Sequence, residues 1–191
     1  RIGSEFRVIF LLTLVPGILS VAAMMFLVKE KRRAANHEME FLETLRAMPQ
    51  KYRAFLLAVG LFGLADFAPT LMILRATTTL EGSMGALDAA RYGALLYVLR
   101  NTVYTLASYP IGAWSGRFSR TRYLAVGYAV AAVTFLGFAF AFTSWAWFAL
   151  LFVLSGIFIA WEDTIEGVAV RDYVGNEIAG TAYGLLGVVN G

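Results

Sequence analysis

The sequence predicts an all-α, multi-pass transmembrane helical bundle. Hydrophobic residues fill 59% of the 191 positions, charged residues fill 15%, and the mean hydropathy is +0.68, which is more apolar than an ordinary soluble domain. Residues 8–28 carry no charge over 21 positions, and residues 123–161 carry none over 39. Because about 20 apolar residues cross a bilayer, the longer stretch contains two spans, which we separate at Thr143 and Ser144.

Taken in order, the apolar stretches predict five complete spans and part of a sixth. The predicted spans are residues 8–28, 54–74, 92–114, 123–142 and 145–170, and a sixth that begins near Ile178. The chain starts a few residues before a span and ends within the apolar run GTAYGLLGVVNG. This favours a fragment of a longer protein over a complete small protein with a short last helix.

Charge and cysteine content argue against disulfide-bonded, thiolate-metal and nucleic-acid-binding proteins. The chain has no cysteine, so we expect neither disulfides nor thiolate metal sites. The net charge of +3 and the pI near 9.3 could indicate nucleic-acid binding, but in a membrane protein positive loops explain them more simply. We therefore expect a lipid bilayer as partner and no nucleic acid.

The distribution of Lys and Arg predicts the orientation of the spans, because short cytoplasmic loops retain these residues. Seven of them lie in residues 29–53 and three in residues 115–122, whereas the alternate connections hold fewer. Both segments are therefore predicted to be cytoplasmic, and residues 1–6 are predicted to face outward.

Residues 29–53 form the longest hydrophilic segment. His37, the sole histidine, lies here and is predicted to be solvated, so no histidine is available inside the membrane. The apolar positions that follow have helical spacing and predict a short amphipathic helix on the membrane surface. These positions are Phe41, Leu42, Leu45 and Met48.

The stretch GAWSGRFSRTR, residues 112–122, resembles the second-half signature loop of the major facilitator superfamily, whose pattern is G-x-x-x-D-R-x-G-R-R. The matching positions are Gly112, Arg117 and Arg120. The departures are Gly116 for the acid, Ser119 for the later glycine and Thr121 for the last base, with Arg122 one place late. The basic segment before it and the glycine-rich last span also lie where this family has them. The resemblance thus covers the chain as helices six to eleven of twelve.

This resemblance implies a domain division and a function. Residues 1–28 would be the last helix of an N-terminal half, residues 29–53 a cytoplasmic central loop, and residues 54–191 a C-terminal bundle truncated in its fifth helix. The implied protein is a secondary transporter of the inner cell membrane, without cofactor or enzymatic activity. It would move a small solute by alternating access, coupled to protons, with the missing N-terminal half as partner.

The direction of transport follows only from a closer resemblance. The stretches LFGLADFAPTLMILRA and GTAYGLLGVVNG resemble bacterial members of the family, some of which are drug or metabolite exporters, and this favours efflux by an antiporter. A membrane sensor or scaffold that uses the same fold without transporting is the alternative.

The signature loop has a physical interpretation apart from its name. Gly112 and Gly116 are small enough to let helices approach closely at a tight turn. The resemblance implies that Arg117 or Arg120 forms a cytoplasmic gate by pairing with acids at neighbouring helix ends. The alternative is that these arginines only fix the topology.

Two ionisable residues lie near the middle of predicted spans. Asp66 is halfway along residues 54–74, where a charge is costly, and Pro69 should bend or unwind the helix there. One interpretation is proton coupling, because a carboxyl group in a low-dielectric surrounding can exchange a proton near neutral pH. The other is a structural hydrogen bond between helices. Arg100 lies at similar depth and could neutralise Asp66.

Polar residues form a stripe on the span that contains Arg100. At 100° per residue they share a sector about 100° wide, and they are Tyr97, Arg100, Asn101, Tyr104 and Ser108. Such a stripe must face protein or water, so it either lines a solute cavity or packs against another helix.

Three acids share one face near the end of the predicted fifth span, namely Glu162, Asp163 and Glu166. They could hold a proton or a cation, which assigns Glu162 to substrate or proton coupling. Alternatively they pair with Arg117 and Arg120, which assigns Asp163 and Glu166 to the cytoplasmic gate. A metal-dependent intramembrane enzyme would also use such acids, but the spans offer neither histidine nor cysteine to complete a metal site.

Overall fold

A computed structural model describes most of the chain, and nearly all described residues are helical. The described residues are 2–27, 46, 48–66, 68–140, 142–175 and 178–190. They fall into two compact units, one within residues 1–38 and the other within residues 39–191. No strand occurs among these residues, which confirms the predicted all-α class.

The first unit contains α1, Ile2–Leu27, a helix of 26 residues with Pro16 inside it. Its large apolar side chains from Leu11 onward are exposed, up to 84% at Phe26. A helix that is apolar on every side requires an apolar surrounding, and α1 contains the predicted first span except Val28 and begins six residues before it. The predicted positions of His37, Phe41, Leu42 and Leu45 lie outside the described residues, whereas Met48 is buried in the second unit.

The predicted span 54–74 is not one helix. Helix α2, Gln50–Gly63, and helix α3, Pro69–Met84, are separate, so the expectation of a break near Pro69 is confirmed and the continuous span is wrong. Proline occupies the first turn of α3, where its missing N–H costs no helical hydrogen bond. Ala68 has the extended ψ of 136° that proline imposes on the residue before it. Asp66 therefore lies in an unwound segment.

The predicted spans 54–74 and 92–114 leave a loop between them, and this loop is also wrong, because α3 continues to Met84 and α4, Ala86–Trp114, begins two residues later. Gly85 alone connects them, with a φ of 84° that glycine adopts without steric cost. Hydroxyl groups of Thr78 and Thr79 donate to carbonyls one turn back, so these polar groups are satisfied within the helix.

The remaining helices agree more closely with the predicted spans. A short 3₁₀ turn, Ser115–Arg117, connects α4 to α5, Arg120–Ala139. Helix α6, Trp145–Tyr173, and helix α7, Ala179–Asn190, follow. In the part of the chain that the structure describes, α5 and α6 are the helices that are both long and apolar enough to cross a bilayer.

Two apolar clusters stabilise the second unit. One joins α2 and α7 to the ends of α4 and α6 and the start of α5, and the other joins α3 to the starts of α4 and α6 and the end of α5. Small residues bring these helices close together. A methyl group added at Gly127 of α5 would lie 2.7 Å from Trp161 of α6. The break between α2 and α3 falls between the two clusters, and the candidate site lies at that level.

Candidate functional site

Arg100 is a buried cation in the middle of α4, with 8% of its surface exposed. Its Nε donates to Oγ of Ser155 on α6 at 2.9 Å, and the Ser155 hydroxyl donates to Sδ of Met72 on α3 at 3.6 Å. Burying a guanidinium is costly unless it is hydrogen-bonded and its charge is compensated. Arg100 therefore joins α4 to α6 beside the apolar cluster that contains Met72.

Three carboxylates lie close enough to Arg100 to interact with its charge, namely Asp66, Glu162 and Asp163. Asp66 is exposed in the break between α2 and α3, and its N–H donates to the Gly63 carbonyl at 3.2 Å. The sequence predicted Asp66 as the partner of Arg100. In the structure, two acids of α6, Glu162 and Asp163, also interact with the charge of Arg100. The direct hydrogen bond of Arg100 is to Ser155. A polar residue beside Gly156 in an otherwise apolar span was the available signal for Ser155.

Glu162 differs from the other two acids because it is 7% exposed. Within the described residues its Oε2 is buried and accepts no hydrogen bond. An ionised carboxylate in such a place lacks the donors that would compensate for lost water. The oxygen is thus available for a proton or for a donor group of a bound solute.

The polar stripe of α4 divides between a packed and an open part. Arg100 packs against α6, whereas Tyr97 is 46% exposed and Asn101 and Tyr104 are half-buried. Asn101 Nδ2 donates to the Tyr97 carbonyl at 2.8 Å and Ser108 Oγ to the Tyr104 carbonyl at 2.7 Å. The Tyr104 hydroxyl lies near Asp163. Packing against another helix is observed at Arg100, whereas the lining of a solute cavity stays a prediction.

Glu166 forms a separate cluster across three helices. It is 1% exposed; Oε1 accepts from the Tyr128 hydroxyl of α5 at 2.5 Å, and Oε2 accepts from Asn190 Nδ2 of α7 at 2.6 Å. The Tyr128 ring stacks on Phe62 of α2 with centroids 3.9 Å apart. Sequence reasoning missed Tyr128 and Asn190, since three distant positions meet only through helix packing.

The signature loop contacts the end of α6, but not through the predicted acids. In the described part of the chain Arg120 pairs with Asp172, and the hydroxyls of Thr121 and Tyr173 are 2.8 Å apart. The predicted pairing with Glu166 or Asp163 is therefore wrong, because Asp172 lies about 9 Å further along α6 than Glu166. Arg117 is exposed.

The two signature glycines differ in their surroundings. A methyl group at Gly112 would lie 3.2 Å from the Thr164 side chain of α6, so small size matters there. Nothing lies within 4 Å of the same position at Gly116, and the expectation of a close approach at Gly116 is wrong.

The acids around Arg100 do not form a ligand set for a metal ion. Across the described residues, no group of three or more His, Asp or Glu side chains has a geometry that could hold one. Carboxyl groups beside a guanidinium can instead hold a proton or accept hydrogen bonds from polar groups of a solute.

Comparison with known proteins identifies a family and a relative. Residues 82–191 match the model of the family described as Major Facilitator Superfamily. Over 187 residues the chain is 33% identical to an uncharacterized MFS-type transporter of Methanocaldococcus jannaschii, an alignment that covers 98% of this chain and 46% of that protein. The chain thus spans about half the length of this curated relative. No solved structure matches it.

Proposed function

The chain belongs to the major facilitator superfamily of multi-pass membrane transporters, and from this premise we propose that its protein moves a small solute by alternating access coupled to protons. The family predicted from residues 112–122 is thereby confirmed. The bacterial type, the direction of transport and the coupling ion stay predictions.

The observation that carries the proposal is one buried guanidinium beside three carboxylates at the level where α2 gives way to α3. Asp66, Glu162 and Asp163 lie close enough to interact with the charge of Arg100. Carboxyl groups beside a guanidinium can take up and release a proton, and we propose that one of the three carries the transported proton. Asp66 is exposed and Glu162 has a spare buried oxygen, which makes these two the candidates.

The solute would bind beside this group. Tyr97, Asn101 and Tyr104 lie with Arg100 along one face of α4 and offer hydroxyl and amide groups. An unwound segment at Asp66 also leaves backbone groups available next to a cavity. The N-terminal half of the protein would complete the cavity from the opposite side. Efflux by proton antiport is the direction that the sequence resemblance favours.

We propose the inner cell membrane as location, with residues 29–53 and 115–122 on the cytoplasmic side. The arrangement of the second unit supports this, because Lys51 at the start of α2 and Arg120 at the start of α5 line one cavity of about 530 Å³. Basic residues from both predicted cytoplasmic segments therefore lie at the same end of the bundle, as the retention of positive charge requires.

The test is solute flux in proteoliposomes made with the full-length protein. A pH-sensitive dye inside the vesicles reports proton movement while a panel of radiolabelled solutes is added. We expect at least one solute to move with a counterflow of protons, and Arg100→Gln to abolish it. Glu81→Gln, which changes an exposed acid of α3 away from this group, should transport normally. A folded protein that binds solutes without moving any would favour the sensor or scaffold.

A further inference from the structure

The cluster of Tyr128, Glu166 and Asn190 lies about one turn of α6 beyond Glu162 of the site around Arg100, and it connects three helices. Its hydrogen bonds of 2.5 and 2.6 Å attach the last described residue of α7 to α5 and α6. Two further hydrogen bonds hold α7, from the Tyr183 hydroxyl to the Gly167 carbonyl and from the Tyr52 hydroxyl of α2 to the Ala182 carbonyl. Neither of these two includes a carboxyl group, whereas the attachment at Glu166 does.

The hydrogen-bond pattern depends on the protonation state of Glu166. Each carboxyl oxygen accepts from a different donor, which suits an ionised carboxylate because it only accepts. A protonated carboxyl carries a donor on one oxygen, which then accepts more weakly, so one of the two contacts is weakened or reversed. Even if the Asn190 amide turns its oxygen toward that donor, a charge-assisted bond becomes a weaker neutral one.

Open space reaches this cluster from one side. Tyr128 lines the cavity of about 530 Å³ that also contacts Lys51 and Arg120. A proton that enters this cavity is one side chain away from the Glu166 carboxyl.

We propose that Tyr128, Glu166 and Asn190 form a proton-sensitive clamp, which holds α7 against α5 and α6 while Glu166 is ionised and loosens α7 when Glu166 is protonated. The proposal rests on the proposed function in one respect: it identifies α7 as the helix through which proton uptake changes the conformation. The packing of α7 against α5 and α6 does not itself depend on a bound solute.

Other ionisable groups face the clamp from the surrounding elements. Carboxylates of the same helix lie near Glu166, and cations line the adjoining cavity. These groups are Glu162 and Asp163 on α6, Tyr128 on α5 and Tyr183 on α7, while Lys51 and Arg120 line the cavity beside Tyr128. The closed clamp is therefore expected at higher pH and the open clamp at lower pH.

Single cysteines on α7 can measure the clamp in the full-length protein freed of other cysteines. Leu186 is 7% exposed against the core, whereas Val188 is 78% exposed. The rate of N-ethylmaleimide labelling at Leu186→Cys, divided by the rate at Val188→Cys, cancels the intrinsic pH dependence of the thiol. If Leu186→Cys does not fold, Ala182→Cys replaces it, since Ala182 is 0% exposed.

We expect the ratio to rise about tenfold or more between about pH 8 and about pH 5, because losing a hydrogen bond to a charged group shifts a two-state equilibrium by at least that factor. Tyr128→Phe keeps the stacking on Phe62 but should raise the ratio at about pH 8, and Glu166→Gln should make the ratio independent of pH. Tyr183→Phe is the matched control, because it removes a hydrogen bond between α6 and α7 that contains no acid. It should leave the pH dependence intact.

Two results would overturn the clamp: a ratio that does not change with pH in the otherwise unaltered protein, or a pH dependence that persists in Glu166→Gln. Loss of the pH dependence in Tyr183→Phe would also overturn the assignment to Glu166. No solute is added, so failure of the transport proposal leaves this measurement unaffected. Conversely, a pH-independent ratio discards the clamp and leaves solute flux to be judged separately.

Discussion

Gly156 allows α6 to pack closely against α4, and Gly156→Ala is the substitution whose effect follows most directly from the geometry. The added methyl group would lie 2.6 Å from the Arg100 carbonyl oxygen and 2.9 Å from Cβ of Val103. Both distances are well inside the roughly 3.5 Å at which non-bonded carbon contacts become favourable. Neither neighbouring atom can rotate away, so α4 and α6 must move apart.

The magnitude is obtained by comparison with Gly167→Ala on the same helix, where nothing lies within 4 Å of the new methyl group. Both substitutions gain about 0.5–1 kcal/mol from the higher helix propensity of alanine. Only Gly156→Ala adds an overpacking cost of about 1–3 kcal/mol. The free energies of unfolding should therefore differ by about 1–3 kcal/mol, which corresponds to roughly 2–12 °C in Tm for a domain of this size.

The assay is thermal unfolding of the purified full-length protein in detergent, followed by tryptophan fluorescence. Gly156→Ala should have the lower Tm, and it should also lose transport because Ser155, the neighbouring residue, holds Arg100. If Gly156→Ala is as stable as Gly167→Ala, the close packing of α4 and α6 is wrong, and with it the geometry around Arg100.

Two further predictions concern the signature loop. Arg120→Ala should lower the free energy of unfolding by less than about 1 kcal/mol, because a partly exposed ion pair contributes little; a double-mutant cycle should couple it to Asp172→Asn, while Arg117→Ala with Asp172→Asn should be additive. Coupling of Asp172 to Arg117 instead would contradict the observed pair. Cysteines in place of Asn36 and Ser119 should both be labelled by a membrane-impermeant maleimide from the cytoplasmic face. Labelling from opposite faces would overturn the topology.

Hydropathy predicted helices correctly where one apolar stretch corresponds to one continuous helix. The boundaries of α5 and α6 agree with the predicted spans to within a few residues, since both helices begin and end near the limits of the apolar stretch. Hydropathy failed around Asp66, because residues 54–74 are apolar enough for a span while Pro69 divides them into two helices. It also misplaced the connection at Gly85, because apolar length does not determine where backbone hydrogen bonding stops.

The sequence indicated which individual residues belong to the candidate site, but not which of them contact one another. Charges within apolar stretches identified Asp66, Arg100, Glu162 and Glu166, because each is costly in a membrane and so requires a partner. The partners depend on helix rotation and packing, which a single sequence does not encode locally. Thus Arg100 binds Ser155, 55 positions away.

The end of α6 shows the same limit. Acids of α6 were expected to pair with the arginines that follow α4. The position of each acid along α6 determines which of them reaches an arginine. Asp172 lies level with Arg120, while Glu166 is buried deeper and meets Tyr128 and Asn190. Helical periodicity predicts on which side of α6 Glu166 lies. Which residues of the neighbouring helices it contacts depends on how the helices pack.

Proton-driven accumulation in proteoliposomes, compared with solute exchange in the absence of a pH gradient, tests the central claim most directly. Asp66→Asn removes one of the three carboxylates beside Arg100 and leaves Glu162 and Asp163 to compensate its charge, so the variant should fold. We expect it to abolish accumulation of the solute found by screening while exchange continues. If Asp66→Asn accumulates solute at the unaltered rate between about pH 6 and about pH 8, Asp66 is not the coupling acid, and the proposed proton-coupling role of this aspartate is wrong.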